Sequence, residues 1–298
     1  MVVDWCSIEN PFSEQCVYVS YHVHLMLTTQ TKKHVARTAR KHLSSSSAGR
    51  RIRVSESDVF ITSYPKSGNT WVRFLVANML HPDGSTDFYN INRRVPDIYT
   101  LPDHKLSEIE SPRYLKSHEY FDPRYPKVLY VVRDVRSVAV SYFHHLKLVG
   151  SISNDTDIGE FVVDFLDGRV NQYGSWKENV LSWIRLRGKD ESRFKLIRYE
   201  DLKANCVSEM ATICSYFQIE KSQEELQSIS GLSSFVRMQK LEKKGIDKKM
   251  LSKKHRSTKA GFVRTGSTSD WKEVLDAESI LKINKDCGEL LQELGYQK

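Results

Sequence analysis

The sequence predicts an α/β fold: a single domain with a central, mostly parallel β-sheet flanked by helices. Three observations carry that expectation. Residues 58–63, 127–132 (KVLYVV) and 194–199 (FKLIRY) are short, β-branched or aromatic, and nearly continuous in apolarity, as strands covered on both faces read. Stretches with helical spacing alternate with them, at 70–80, 136–148, 176–187 and 208–217. The first strand also leads into its helix through a tight polar turn, TSYPKSGNTW at 62–71, the layout of a phosphate-binding loop.

The bulk numbers agree with one large α/β domain. The chain has 298 residues and 40% hydrophobic content, enough to bury a sizeable core. Its 45 Lys and Arg against 37 Asp and Glu leave a net charge of +8, which favours anionic ligands without choosing among them. The cysteines, Cys6, Cys16, Cys206, Cys214 and Cys287, are odd in number and widely spaced, with no C-x-x-C. That usage argues against a disulfide framework or a zinc site and for a reducing compartment. The apolar stretch at 17–27 is interrupted by Ser20, His22 and His24 and is too short to span a bilayer. The expectation is a soluble, cytoplasmic protein without a membrane or nucleic-acid partner.

Residues 44–47 are four serines, a linker signal that separates an N-terminal segment, 1–50, from a domain at 51–298. Ahead of it, residues 32–41 carry five Lys or Arg and no acid, a pattern that reads as a solvated face. Residues 240–259 carry nine Lys or Arg against two acids; a solvated loop and a basic lid are both open readings.

Four stretches could carry chemistry. In the opening turn, Gly68 permits close backbone approach, Lys66 adds a point charge, and Ser67, Asn69 and Thr70 add donors. Trp71 is large enough to stack on a base. A lysine ahead of the glycine departs from the G-x-x-x-x-G-K-[ST] pattern of nucleotide triphosphatases. In YVVRDVRSVAVSYFHH, Arg133 ends the strand at 127–132 and Ser141 follows on the next helix. Ligands in open α/β sheets sit beyond the carboxyl ends of strands, and a guanidinium fork suits a phosphate. In PRYLKSHEYF, Lys116 and His118 are two apart and would share a face of a strand; histidine is the natural base near neutral pH. In RTGSTSDWK, Arg264 and Gly266 would suit a phosphate-facing loop, although a plain turn fits as well.

Together these stretches resemble the cytosolic-type sulfotransferases that use 3'-phosphoadenosine-5'-phosphosulfate (PAPS). The opening turn is similar to that family's Y-P-K-S-G-T-T-W loop, with Asn69 in place of one threonine; KSH at 116–118 is similar to its K-T-H. Arg133 and Ser141 match its 3'-phosphate pair, and RYEDLK at 198–203 matches its R-Y-E-D. The resemblance implies His118 as catalytic base, assisted by Lys66 and Lys116. It implies a donor site of Lys66, Ser67, Gly68, Asn69, Thr70, Trp71, Arg133, Ser141, Tyr199, Ser233, Phe235, Arg264, Thr265 and Gly266. PAPS would be the cosubstrate, PAP (adenosine 3',5'-bisphosphate) its product, with no metal. Thr265 stands where the family has lysine, and KEVLDAESIL at 272–281 departs from its dimer segment, so a monomer or a differently built dimer is expected. Residues 83–104, with Phe88, Tyr89, Tyr99 and Asp87, Asp97, Asp103, would suit a small, polar acceptor, although a solvated loop fits equally. Against this stand two other readings, a metal-dependent nucleotide phosphotransferase on a P-loop fold and a non-catalytic nucleotide- or nucleic-acid-binding module.

Overall fold

A computed structural model describes residues 52–187, 190–245 and 266–297. The expectations for residues 1–50, for most of the basic run at 240–259, and for Arg264 and Thr265 lie outside those residues.

The elements follow in the alternating order the sequence predicts: β1 (Val59–Ser63), α1 (Asn69–Leu80), α2 (Ile91–Arg94), α3 (Asp103–Ser107), β2 (Tyr114–Ser117), β3 (Lys127–Val132), α4 (Val135–Leu148), α5 (Ile158–Leu166) and α6 (Trp176–Arg187). They continue with β4 (Phe194–Arg198), α7 (Tyr199–Ala204), α8 (Cys206–Phe217), α9 (Gln223–Leu232), α10 (Phe235–Gly245), α11 (Trp271–Val274) and α12 (Ala277–Glu293). Among the described residues the sheet has four strands in the order β2-β1-β3-β4, and every pairing is parallel.

Side-chain alternation explains why the strands look uniformly apolar in sequence. Phe60, Val128 and Tyr130 point to one layer, with Val135 and Val138 of α4, Phe165 of α5, Trp176 and Trp183 of α6, and Ile283 and Leu291 of α12. Val59, Ile61, Leu129 and Val131 point to the other, with Val72 and Leu75 of α1 and Met210 and Ile213 of α8. Both faces are covered, so no strand can afford a polar face. Among the described residues no helix is long and apolar enough to cross a membrane.

Tyr199 shifts from its expected place at a strand end. β4 closes at Arg198 and Tyr199 opens α7. Glu200 and Asp201 in that first turn favour a helix start there, and the turn swings the Tyr199 ring back toward β1.

The chain leaves β1, returns as β2 on one side, then crosses to β3 on the other. The carboxyl ends of β1 and β3 therefore flank the topological switch point, where α/β sheets bind ligands. At the opposite end, a buried ion pair ties β1 to β2. Arg113 donates to both carboxylate oxygens of Asp58, at 2.8 and 2.5 Å, and the two residues are 5% and 0% exposed. Arg113→Ala should lower the unfolding free energy by about 3–5 kcal/mol, because Asp58 would stay buried without its partner. Urea denaturation checks this; a loss near zero would mean that the carboxylate is relieved by solvent.

Candidate functional site: a left-handed turn, a buried histidine and an arginine clasp

The turn after β1 is built on two residues in the left-handed region, Lys66 at φ 70° and Gly68 at φ 98°. Glycine bears such a φ without cost, whereas lysine pays strain of order 1–3 kcal/mol, a cost concentrated at functional sites. Ser67 N–H donates to the Tyr64 carbonyl. The first bonds that close back on the turn are those from Trp71 and Val72 to the Gly68 carbonyl. The amides before them belong to the open first turn of α1, where an anion is favoured.

Gly68 is required for a second reason. A Cβ there would lie 2.4 Å from Cδ2 and 2.9 Å from Cε2 of Tyr199, so an edge of the aromatic ring packs against the turn. Arg133, at the end of β3, clasps the same place from the other side. Its guanidinium lies 4.6 Å over the Tyr199 ring, donates to the Lys66 carbonyl at 3.3 Å and to the Ser267 carbonyl at 2.6 Å. The 266–268 backbone is further held by Tyr199 Oη and Lys203 Nζ, both donating to the Gly266 carbonyl, and by Ser137 Oγ donating to the Thr268 carbonyl. Phe235 packs beneath Gly266, whose φ is +61° and whose Cβ would come within 2.9 Å of that ring.

Trp71 completes this wall. It meets Tyr199 edge-on at 5.4 Å and donates from Nε1 to the Ser233 carbonyl, while Asn78 donates to Ser233 Oγ. Lys66, Gly68, Trp71, Arg133, Tyr199, Ser233, Phe235 and Gly266 are thus brought together. Ser141 lies on α4 one turn beyond Ser137 and is half-buried. Among the described residues, Ser67 Oγ and Arg133 Nε are buried here without a hydrogen-bond partner. A donor set of open amides, a hydroxyl and a guanidinium fits phosphate groups.

Asn69 differs from its expectation. Its side chain turns away from the phosphate side and donates to the Ile61 carbonyl and to Ser63 Oγ, each at 3.1 Å. Only its backbone N–H remains for a ligand at the helix start.

His118 and Lys116 also part company. β2 ends at Ser117, so His118 lies just past the strand and is not its second inward residue. Lys116 Nζ sits 2.6 Å from Asp97 Oδ2, and burial lowers its pKa against the opposing pull of that carboxylate. His118 Nδ1 lies 2.7 Å from the Ser63 carbonyl. A carbonyl can only accept, so the proton is on Nδ1 and Nε2 is the basic nitrogen. Burial first, and the Lys116 ammonium second, hold this imidazole well below its ordinary pKa, with Arg73 and Lys66 adding to the effect.

Tyr99, which the sequence offers to the acceptor, and Tyr173, which it does not single out, bracket the histidine. The Tyr99 ring lies nearly parallel to His118 at 6.2 Å, accepts its backbone N–H and donates to Glu119. Tyr173 meets His118 edge-on at 5.6 Å. The carboxylates expected to face an acceptor are engaged elsewhere: Asp97 by Lys116, Asp87 by the amides of Tyr89 and Asn90, Asp103 by the Arg53 amide. Phe88 packs on Phe74 at 4.9 Å.

Strand, left-handed turn, helix and an arginine at the neighbouring strand end define an α/β protein of the phosphate-loop class, with a neutral histidine beside the loop. The sulfotransferase-domain family profile matches residues 56–295, and the chain belongs to the sulfotransferase family. Human sulfotransferase 2B1 is 31% identical over 233 residues, covering 74% of this chain and 62% of that protein; the chain therefore spans about three fifths of that relative's length. Human sulfotransferase 2A1 is 31% identical over 249 residues, 77% of this chain and 84% of that protein. The structure of a retinol dehydratase in complex with androsterone and the inactive cofactor PAP superposes with a TM-score of 0.67 at 18% identity, over 89% of this chain and 94% of that one, a likeness of fold.

Gly68→Ala should displace Tyr199 and with it Arg133, lowering affinity for PAP by about tenfold or more. Isothermal titration would show this; unchanged affinity would mean that the turn does not form the nucleotide site.

Proposed function

We propose that the chain transfers the sulfuryl group of PAPS to a hydroxyl, or an amine, of a small-molecule acceptor, with His118 as general base. The observation that carries this reading is the bond from His118 Nδ1–H to the Ser63 carbonyl. It leaves Nε2 as a proton acceptor, and a depressed pKa keeps it neutral.

The turn from Lys66 to Thr70 would hold the 5' end of the nucleotide through its amides and the Ser67 and Thr70 hydroxyls. Arg133 and Ser141, with Arg264, would hold the 3'-phosphate, and the 265–266 backbone would contribute beside them. Trp71, Tyr199, Ser233 and Phe235 would enclose the base. The bound nucleotide supplies an activated sulfuryl group. His118 Nε2 takes the proton of the attacking hydroxyl. Lys66 stabilises charge near the transferred group; Lys116, engaged by Asp97, acts chiefly through its field on His118. The relatives named sulfotransferases and the PAP held by the retinol dehydratase support this donor.

For the acceptor, Tyr99 and Tyr173 offer flat apolar faces beside the base, and the loop carboxylates are already engaged. A neutral hydroxyl-bearing ring fits this surface better than a cationic amine. The widely spaced cysteines support a cytoplasmic setting.

An acceptor screen with labelled PAPS tests the reading; absence of transfer to every phenol, alcohol and amine tried would contradict it. His118→Ala should lower kcat by about 10²–10⁴-fold while PAP still binds. The pH profile gives an independent check. A base whose folded pKa is depressed accepts protons at any pH above that lowered value. Hence kcat/KM for the donor, which reports the free enzyme, should show no imidazole limb between about pH 6 and 7. An acid limb centred near the ordinary imidazole pKa would count against His118.

A further inference from the structure

We propose that Asn69 is a positioning residue for His118, acting through the end of β1; the inference rests on His118 being the base. Asn69 is 4% exposed and heads α1. Its amide reaches back eight residues to the Ile61 carbonyl and six to Ser63 Oγ, at 3.1 Å each. The contact with Ile61 identifies the atom: a carbonyl only accepts, so the group facing it is the NH2. Its oxygen is buried without a partner among the described residues, and the two donated bonds orient this side chain.

Those two bonds pin the last three residues of β1 to the first residue of the helix. Ser63 lies at the end of that clamp, and its carbonyl is the group that keeps the His118 proton on Nδ1, at 2.7 Å. Ser63 Oγ is 3.4 Å from the same nitrogen. With the clamp intact, Oγ accepts from Asn69 and the carbonyl faces the ring. Without it, the serine side chain can turn and donate its O–H to Nδ1. That favours the opposite tautomer, with the proton on Nε2, which cannot accept one from an acceptor hydroxyl. A threonine, the residue the resemblance places here, has one O–H and could satisfy one of the two acceptors. The amide, with two N–H groups, satisfies both.

The test compares wild type with Asn69→Ala and Asn69→Leu, the latter keeping the approximate shape without a donor or an acceptor. Long-range ¹⁵N–¹H spectra, with His118 assigned by its loss in His118→Gln, report the tautomer directly. Wild type should show His118 protonated on Nδ1; both variants should show a mixture. kcat should fall about tenfold or more in both, while KM for PAPS and the affinity for PAP change little. A purely structural Asn69 would lower the melting temperature and leave the tautomer alone, and that result would overturn the proposal. An unshifted tautomer overturns it whatever kcat does. Failure of wild type to transfer sulfuryl would refute the proposed function, whereas the spectra would still decide whether Asn69 governs His118. If Asn69→Ala does not fold, Asn69→Leu carries the same comparison.

Discussion

The packing of the Tyr199 ring against Gly68 is the constraint on which the rest of the site depends. A Cβ at that point would overlap the ring, so the turn must be glycine and must be left-handed. Once the ring is there, a face of it receives the Arg133 guanidinium. That guanidinium in turn gathers the carbonyls of Lys66 and Ser267. Three segments distant in sequence, the ends of β1, β3 and β4, thus converge on one aromatic side chain. The 266–268 segment is the fourth, held by Tyr199 Oη, Lys203 and Ser137.

Electrostatics around His118 follow from the same convergence. Arg73, on α1, is buried among the carbonyl of Val95 and the side chain of Asn92, and burial brings its pKa down to about 10. Lys116 answers to Asp97. Burial first, then the cations Lys116, Arg73 and Lys66, favour the neutral imidazole. Backbone pairing holds this arrangement: Lys116 N–H donates to the Pro96 carbonyl and Ile98 N–H to the Lys116 carbonyl. The loop before β2 is therefore stitched to the sheet edge, and it carries Tyr99 to the histidine.

The fold was legible because both sheet faces are covered: uninterrupted runs such as KVLYVV can be little else. The phosphate turn was legible because its chemistry is local, a strand end, a glycine and a helix start within ten residues. Arg133 is legible as the residue that follows a strand, and Tyr199 through the resemblance of RYEDLK to R-Y-E-D. What escaped notice depended on long-range approach. Nothing in the sequence links Ser63 to His118, 55 residues on, or Tyr173 to Tyr99. Asn69 was read as a ligand donor because its neighbours are; only the backward turn of its side chain shows that it serves β1. The resemblance of KSH to K-T-H implies a catalytic Lys116, and its engagement by Asp97, 19 residues earlier, has no local signal.

In the proposed function the turn and Arg133 together read a nucleotide carrying phosphates at both the 3' and 5' positions. Titration calorimetry of the protein, without added divalent metal, against PAP and against adenosine 5'-monophosphate tests it most directly. A charge-assisted contact to the extra phosphate, of about 1.5–3 kcal/mol, predicts that PAP binds roughly ten- to a hundredfold more tightly. Equal affinity for the two nucleotides would contradict the account.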